Sequence, residues 1–324
     1  MARLPHYTTH CIGIVTDRTS GRTRRRWIFG VAAVLLTPVA LFAALVVRLI
    51  VHERSLNVAP TRGSLAIPTA QTGVAGIRDV RIPVEGEFEI GAWYVPPRHG
   101  AAVILTHGIG ADRSRMLPET KLLTDAGIGV LAFDWPGNGT SGGESQWGRN
   151  ERLALGASVT WLSAQPDVDR AQIGALGFSS GGYTVAQVAA TDVRIRRIAL
   201  VGTPSDAAEQ TIAAYKRYGR FAGWVTYKAN QWMGIEPDTL KAKDLVSKFS
   251  PRPLLLVSGA LDQVVPMAMA DTLLARAAEP KALIRILRAV HGNYMAVDSA
   301  TYGSALRRLF MTGRVHDSSA AAQY

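Results

Sequence analysis

Cysteine is almost absent from this chain. Cys11 is the only one in 324 residues, so no intrachain disulfide can form. Acidic residues are scarce too: 25 Asp and Glu face 36 Lys and Arg, for a net charge of +11. Such an excess would fit a nucleic-acid partner, but its distribution argues against one. Residues 1–62 hold nine arginines against Asp17 and Glu53, a local balance of +7, which leaves +4 for the other 262 residues. Most of the basicity flanks one hydrophobic segment and is a signal of membrane topology first. No internal repeat is evident, and no His, Cys, Asp or Glu group has metal-ligand spacing. A phosphate-binding loop is missing as well. Asp134 to Gly143 is rich in glycine but lacks the Lys-Ser/Thr ending of such a loop, and no matching Mg²⁺ carboxylate accompanies it. It reads as a tight turn in which Asp134 accepts hydrogen bonds from nearby N–H groups.

What is present begins with Trp27 to Val47, apolar throughout except at Thr37 and Pro38. About 20 helical residues cross a bilayer core of roughly 30 Å. Arg22, Arg24, Arg25 and Arg26 stand just before it, which puts the N-terminus in the cytoplasm and everything after residue 52 outside. A cleaved signal peptide is the rival reading; it has a shorter apolar stretch and a small-x-small cleavage site. The length favours an uncleaved, single-pass anchor. The chain then divides into a basic segment (1–26), an anchor (27–48), a Pro/Gly/Thr/Ala-rich linker (49–76), a domain (77–312) and a polar tail (313–324). Cys11 lies in the basic segment and has no evident role.

From Ile77 onward, strand and helix patterns alternate. Arg78–Val84 and Phe88–Val95 read as an antiparallel hairpin around Glu85-Gly86-Glu87. Apolar runs at 101–106, 129–133, 173–178, 197–201, 254–257 and 283–287 read as buried strands. Helical spacing recurs at 114–126, 151–163, 183–190, 267–278 and 299–310. Such alternation predicts an α/β fold: a mostly parallel sheet with helices on both faces, and a site at the carboxyl ends of the strands. Residues 205–250 interrupt the alternation. They carry Tyr215, Tyr218, Phe221, Trp224, Tyr227 and Trp232 and read as a helical lid insertion, its aromatics either forming a small core or lining an acyl pocket.

The chemistry centres on Gly177-Phe178-Ser179-Ser180-Gly181, a G-x-S-x-G between an apolar strand and a helix. A serine on such a sharp turn has its hydroxyl pushed into a pocket. It needs a base within hydrogen-bond reach, and the base needs a carboxylate to hold its tautomer. His291, after the last strand, is the base candidate. His107 also follows a strand, but its place before the first main helix fits a structural role. Asp262, in the loop after strand 254–257, is the acid candidate, and Asp206 stays open as the alternative. Oxyanion donors are expected from the backbone N–H of Ser180, at a helix N-terminus, and of Ile109, in the loop after His107-Gly108.

These segments together resemble the α/β-hydrolase superfamily, in particular its serine aminopeptidase and BEM46-like hydrolases. Thr106-His107-Gly108 resembles the oxyanion loop, Asp134 to Gly143 the D-x-x-G-x-G-x-S-x-G turn, and Gly259 to Pro266 the acid loop. Phe178 departs from the pattern, since many members carry His before the nucleophile. The resemblance implies a chain order of Ser179, Asp262, His291 and a serine hydrolase that needs no cofactor or metal. It implies a small-molecule or lipid-like acyl substrate without fixing which one. Acyl transfer on the same residues, or a non-catalytic binding protein of the same fold, are the alternatives.

Overall fold

The computed structural model describes residues 19–58, 71–146, 148–215, 219–232 and 240–316. Cys11, most of the tail and Tyr218 lie outside these residues. The chain forms two units, 1–48 and 49–324.

The described residues of the first unit, 19–48, belong to helix α1, Thr19–Val58, which contains Pro38. Within it, Arg25–His52 is long and apolar enough to cross a membrane. The Thr37 hydroxyl folds back onto the Ala33 carbonyl at 2.7 Å, which satisfies the one side-chain polar group inside the apolar stretch. The helix continues ten residues past the expected end of the anchor at residue 48. Nothing stops it there, because no Gly or Pro occurs between Arg48 and Pro60.

The second unit contains β1 (Arg78–Val84), β2 (Phe88–Val95), β3 (Ala102–Thr106), α2 (Leu117–Asp125), β4 (Gly129–Phe133), α3 (Arg149–Ser163), β5 (Ile173–Phe178), α4 (Ser180–Ala189) and β6 (Arg197–Val201). Then follow α5 (Ala207–Ala214), α6 (Arg220–Trp232), α7 (Ala242–Leu245), β7 (Leu254–Gly259), α8 (Met267–Arg276), β8 (Lys281–Ile286), α9 (Tyr294–Val297) and α10 (Ser299–Thr312). The strands form one sheet in the order β1-β2-β4-β3-β5-β6-β7-β8. β2 pairs antiparallel with β1 and β4, and every other pairing is parallel. The expected helix 114–126 starts as a 3-10 turn over Arg113–Met116, because Pro118 allows only the first turn of an α-helix at its position. The last strand begins two residues before its apolar run, directly after Pro280, and ends one residue short of it.

Alternation within the strands divides the core. Ala102, Ile104, Ile173 and Ala175 pack on one face with Leu155, Val159 and Leu162 of α3, Val185 of α4 and Leu273 of α8. Val103, Leu105 and Leu176 pack on the other with Leu123 of α2 and with Tyr302, Leu306 and Phe310 of α10. Each fully buried aliphatic side chain contributes about 1.5–3 kcal/mol relative to exposure, so β3 and β5, covered on both faces, are the firm centre of the fold.

The glycine-rich turn after β4 closes around Asp134. This carboxylate accepts from the N–H of Arg113 (2.8 Å) and of Thr140 (2.9 Å), and pairs with the Arg113 guanidinium at 3.1 Å. Arg113 also reaches Asp79 at 2.9 Å and lies over the Trp93 ring at 5.0 Å. Asp79 is largely exposed, so the buried Arg113–Asp134 contact dominates. Arg113→Gln leaves a buried carboxylate without its cation and is expected to lower unfolding free energy by about 3 kcal/mol. Urea unfolding followed by tryptophan fluorescence checks this; a loss below about 1 kcal/mol would place Arg113 among ordinary surface pairs.

Candidate active site

β5 ends in the middle of the sheet, and the chain turns into α4 within one residue. Ser179 makes that turn with φ 56° and ψ −124°. Left-handed backbone at a residue with a side chain costs about 1–3 kcal/mol and persists only where its surroundings enforce it. Here the Ser179 N–H is bonded to the Val201 carbonyl of β6 at 2.8 Å. Gly177 and Gly181 are required by space: a Cβ on Gly177 would collide with the backbone of Gly181 and Gly182, and one on Gly181 with the carbonyls of Thr106 and His107.

The structure brings Ser179, His291 and Asp262 together. His291 lies in the loop between β8 and α9, with Nε2 3.0 Å from Ser179 Oγ and Nδ1 2.7 Å from Asp262 Oδ2. Asp262 lies in the turn after β7. Its other oxygen accepts from the N–H groups of Val264 (2.9 Å) and Val265 (2.8 Å). Burial opposes its ionisation, but hydrogen bonds from His291, Val265 and Tyr294 outweigh burial and hold the carboxyl below the usual carboxylate range. An ionised carboxylate only accepts, so Nδ1 donates to it and Nε2 is left to accept the Ser179 hydroxyl proton.

Tyr294 is a participant that the sequence did not reveal. Its hydroxyl donates to Asp262 Oδ2 at 3.0 Å. Burial, reinforced by the charge of Asp262, pushes the phenol well up, so it stays a donor. No local signal marks it; only folding α9 against the sheet puts it there. The two other candidates are engaged elsewhere. Asp206 caps α5, accepting from Ala208 and Glu209 N–H, and pairs with Lys241 (3.0 Å) and Lys243 (2.9 Å) at the return of the insertion. His107 is fully buried between the Trp135 N–H, which Nε2 accepts at 3.0 Å, and the Gly108 carbonyl at 2.8 Å. Burial lowers its pKa, so it is a neutral structural strut for the loop that follows.

Ile109 stands beside the nucleophile turn, but its N–H is engaged: it donates to Ser180 Oγ at 2.7 Å. Ser180 opens α4, where the first N–H groups have no partner within the helix. These residues line a cleft of about 270 Å³ together with Arg115, Phe178, Gln210, Val264 and His291. The Phe178 ring lies 4.8 Å from that of His291. The insertion reaches the cleft through Gln210 of α5, whose side chain also touches the Val264 carbonyl at 3.4 Å. Among its described aromatics, Tyr215, Phe221, Trp224 and Tyr227 do not line the cleft. Phe221 and Trp224 stack at 5.7 Å and point outward, 57% and 49% exposed. Nor are they the insertion's core: α6 buries Ala222, Thr226 and Ala229, and Gly223 meets the Ile212 backbone of α5. Among the described residues, no group of three His, Cys, Asp or Glu is placed to hold a metal ion.

A profile of the alpha/beta hydrolase fold matches residues 101–243. An uncharacterized protein of Mycobacterium tuberculosis is 28% identical over 268 residues, covering 81% of this chain and 88% of its own. A thiohydrolase of Aspergillus aculeatus is 30% identical over 121 residues, 36% of this chain and 38% of its own. Among solved structures, an esterase of Pyrococcus furiosus superposes with a TM-score of 0.68 at 21% identity, covering 80% of this chain and 99% of that one.

Two outcomes follow from this electrostatic arrangement. Tyr294→Phe removes one donor from Asp262 and is expected to cost about 1 kcal/mol in urea unfolding. Burial raises the Asp206 carboxyl, but its bonds from Lys243 and Lys241 outweigh that and hold it below its unfolded value. Its contribution is therefore present above an unfolded pKa of about 3.9 and is lost as pH falls through the lower folded value. The stability gap between wild type and Asp206→Asn should be open at pH 7 and close progressively below about pH 4. A gap that stays constant to pH 3 would mean that the lysine pairs do not stabilise the fold.

Proposed function

We propose that this chain, which has the α/β-hydrolase fold, is a membrane-anchored serine hydrolase that cleaves an ester or related acyl bond. The observation that carries the reading is the continuous chain of hydrogen bonds from Ser179 through His291 to Asp262, on a strained turn inside a cleft. The esterase of similar fold and the thiohydrolase of similar sequence support an acyl substrate.

In this reading Ser179 Oγ attacks the carbonyl carbon while His291 Nε2 takes its proton. Asp262, held ionised by its own donors, stabilises the imidazolium, and Tyr294 keeps the carboxylate oriented. The oxyanion meets the Ser180 N–H at the start of α4 and the Ile109 N–H. The latter becomes available when the Ser180 hydroxyl turns away from it. Collapse of the tetrahedral species expels the alcohol, which receives the proton from His291. Water then enters and attacks the acyl carbon while giving a proton to the same nitrogen; collapse returns that proton to Ser179 Oγ and releases the acid. None of these steps calls for a cofactor.

Helix α1 would hold the domain at a membrane. The arginines at 22, 24, 25 and 26 support a cytoplasmic N-terminus, with the cleft on the other side of the membrane. Protease treatment of intact and of permeabilised cells tests this: a domain cleaved only after permeabilisation would reverse the orientation.

The chemistry is tested with a fluorescent fluorophosphonate on the purified full chain. Wild type should be labelled at Ser179, and Ser179→Ala should not. Hydrolysis of p-nitrophenyl butyrate should fall by roughly 10⁴-fold or more in both Ser179→Ala and His291→Ala. Folded wild-type protein that takes up no label would count against an activated serine.

A further inference from the structure

Among the residues that line the cleft, one side chain carries a permanent charge. Ile109, Phe178 and Val264 give it apolar walls, Gln210 is neutral, and Arg115 stands at its edge. Arg115 is exposed, so its charge costs little to hold there. It is nonetheless fixed in place. The guanidinium lies 5.4 Å from the centre of the Phe178 ring, and Nη2 donates to the Gly292 carbonyl at 2.5 Å. That carbonyl belongs to the residue after His291.

This holding uses one of the five N–H donors of the guanidinium. No carboxylate of the described residues forms an ion pair with Arg115. Glu119, one helical turn on, accepts instead from the buried Tyr302 hydroxyl at 3.1 Å. Glu119 feels the charge of Arg115 but makes no ion pair with it. A cation that is already oriented, keeps most of its donors and has no ion-paired carboxylate is prepared for an anion from outside the chain. A purely structural link to Gly292 would need only one donor and no charge.

Resting on the assignment of Ser179 as nucleophile, we propose that Arg115 makes the cleft selective for short esters that carry a carboxylate or phosphate on the alcohol side. The alcohol side follows from position, because Arg115 is tied to the residue next to His291, the group that returns a proton to the leaving alcohol. The small volume beside Ser179, about 270 Å³, favours short substrates.

The test compares 4-acetoxybenzoate with its neutral counterpart methyl 4-acetoxybenzoate, on the full chain. Wild type should favour the anion by about tenfold or more in kcat/KM, and the preference should weaken with added salt. Arg115→Gln should abolish the ratio, mainly by raising KM for the anion, and Arg115→Lys should keep part of it. A wild-type ratio near one, or equal losses on both esters in Arg115→Gln, would overturn the proposal and leave Arg115 as a positioning residue for the His291 loop. If neither ester turns over, protection of Ser179 from fluorophosphonate decides. 4-Hydroxybenzoate should protect at about tenfold lower concentration than its methyl ester, and equal protection overturns the proposal. Absence of labelling in wild type would instead be a failure of the nucleophile assignment, separate from any charge preference.

Discussion

Ser179 occupies a left-handed backbone conformation that residues with side chains avoid, and holding it there engages the centre of the sheet. Its N–H is anchored on β6, and the flanking glycines let the start of α4 press against the end of β3. The strain, about 1–3 kcal/mol, is small beside the apolar burial of β3 and β5, which are covered on both faces. The same central position makes the site possible. Loops from β3, β6, β7 and β8 all emerge at the edge where Ser179 is presented, so Ile109, Pro204, Val264 and His291 reach one cleft from distant parts of the chain.

Electrostatics then separates carboxylates that look alike in sequence. Asp134, Asp206 and Asp262 each follow a strand, and each accepts backbone N–H groups at a turn. What distinguishes them is the remaining partner. Asp134 meets Arg113 and closes a turn; Asp206 meets two lysines and ties the two ends of the helical insertion together. Only Asp262 meets a histidine, with a tyrosine completing its shell. In the first two the charge is neutralised by a cation of the scaffold, whereas in the third it faces an imidazole, as the proposed hydrolase reading requires.

The cleft is narrower in chemistry than the aromatic content of the insertion implies. With Phe221 and Trp224 turned outward, the space beside Ser179 is bounded by small and medium apolar groups, one amide and one guanidinium. In the proposed reading this space takes a compact substrate, and the helix at the N-terminus bears on where the domain works more than on what it takes in.

Local patterns were enough to read the strand and helix alternation, the parallel sheet, the apolar helix and the serine turn. Each rests on interactions between residues close in the chain: side-chain periodicity, the freedom of glycine, the length of an apolar run. The candidates His291 and Asp262 were legible because a strand end in a parallel sheet is a position with a known direction. Helix α1 outlasts the apolar run by some ten residues, since composition changes at Arg48 while no helix-breaking residue appears until Pro60. The rest depends on packing between distant segments. The choice between Asp262 and Asp206, the hydroxyl of Tyr294 on the acid, the occupied N–H of Ile109 and the place of Arg115 over Phe178 are contacts across separations that no period encodes. The sequence by itself determined the fold and which side chains were available for chemistry. Tertiary structure alone decided their partners, because a carboxylate or an arginine takes its role from whichever group the fold brings within about 3 Å.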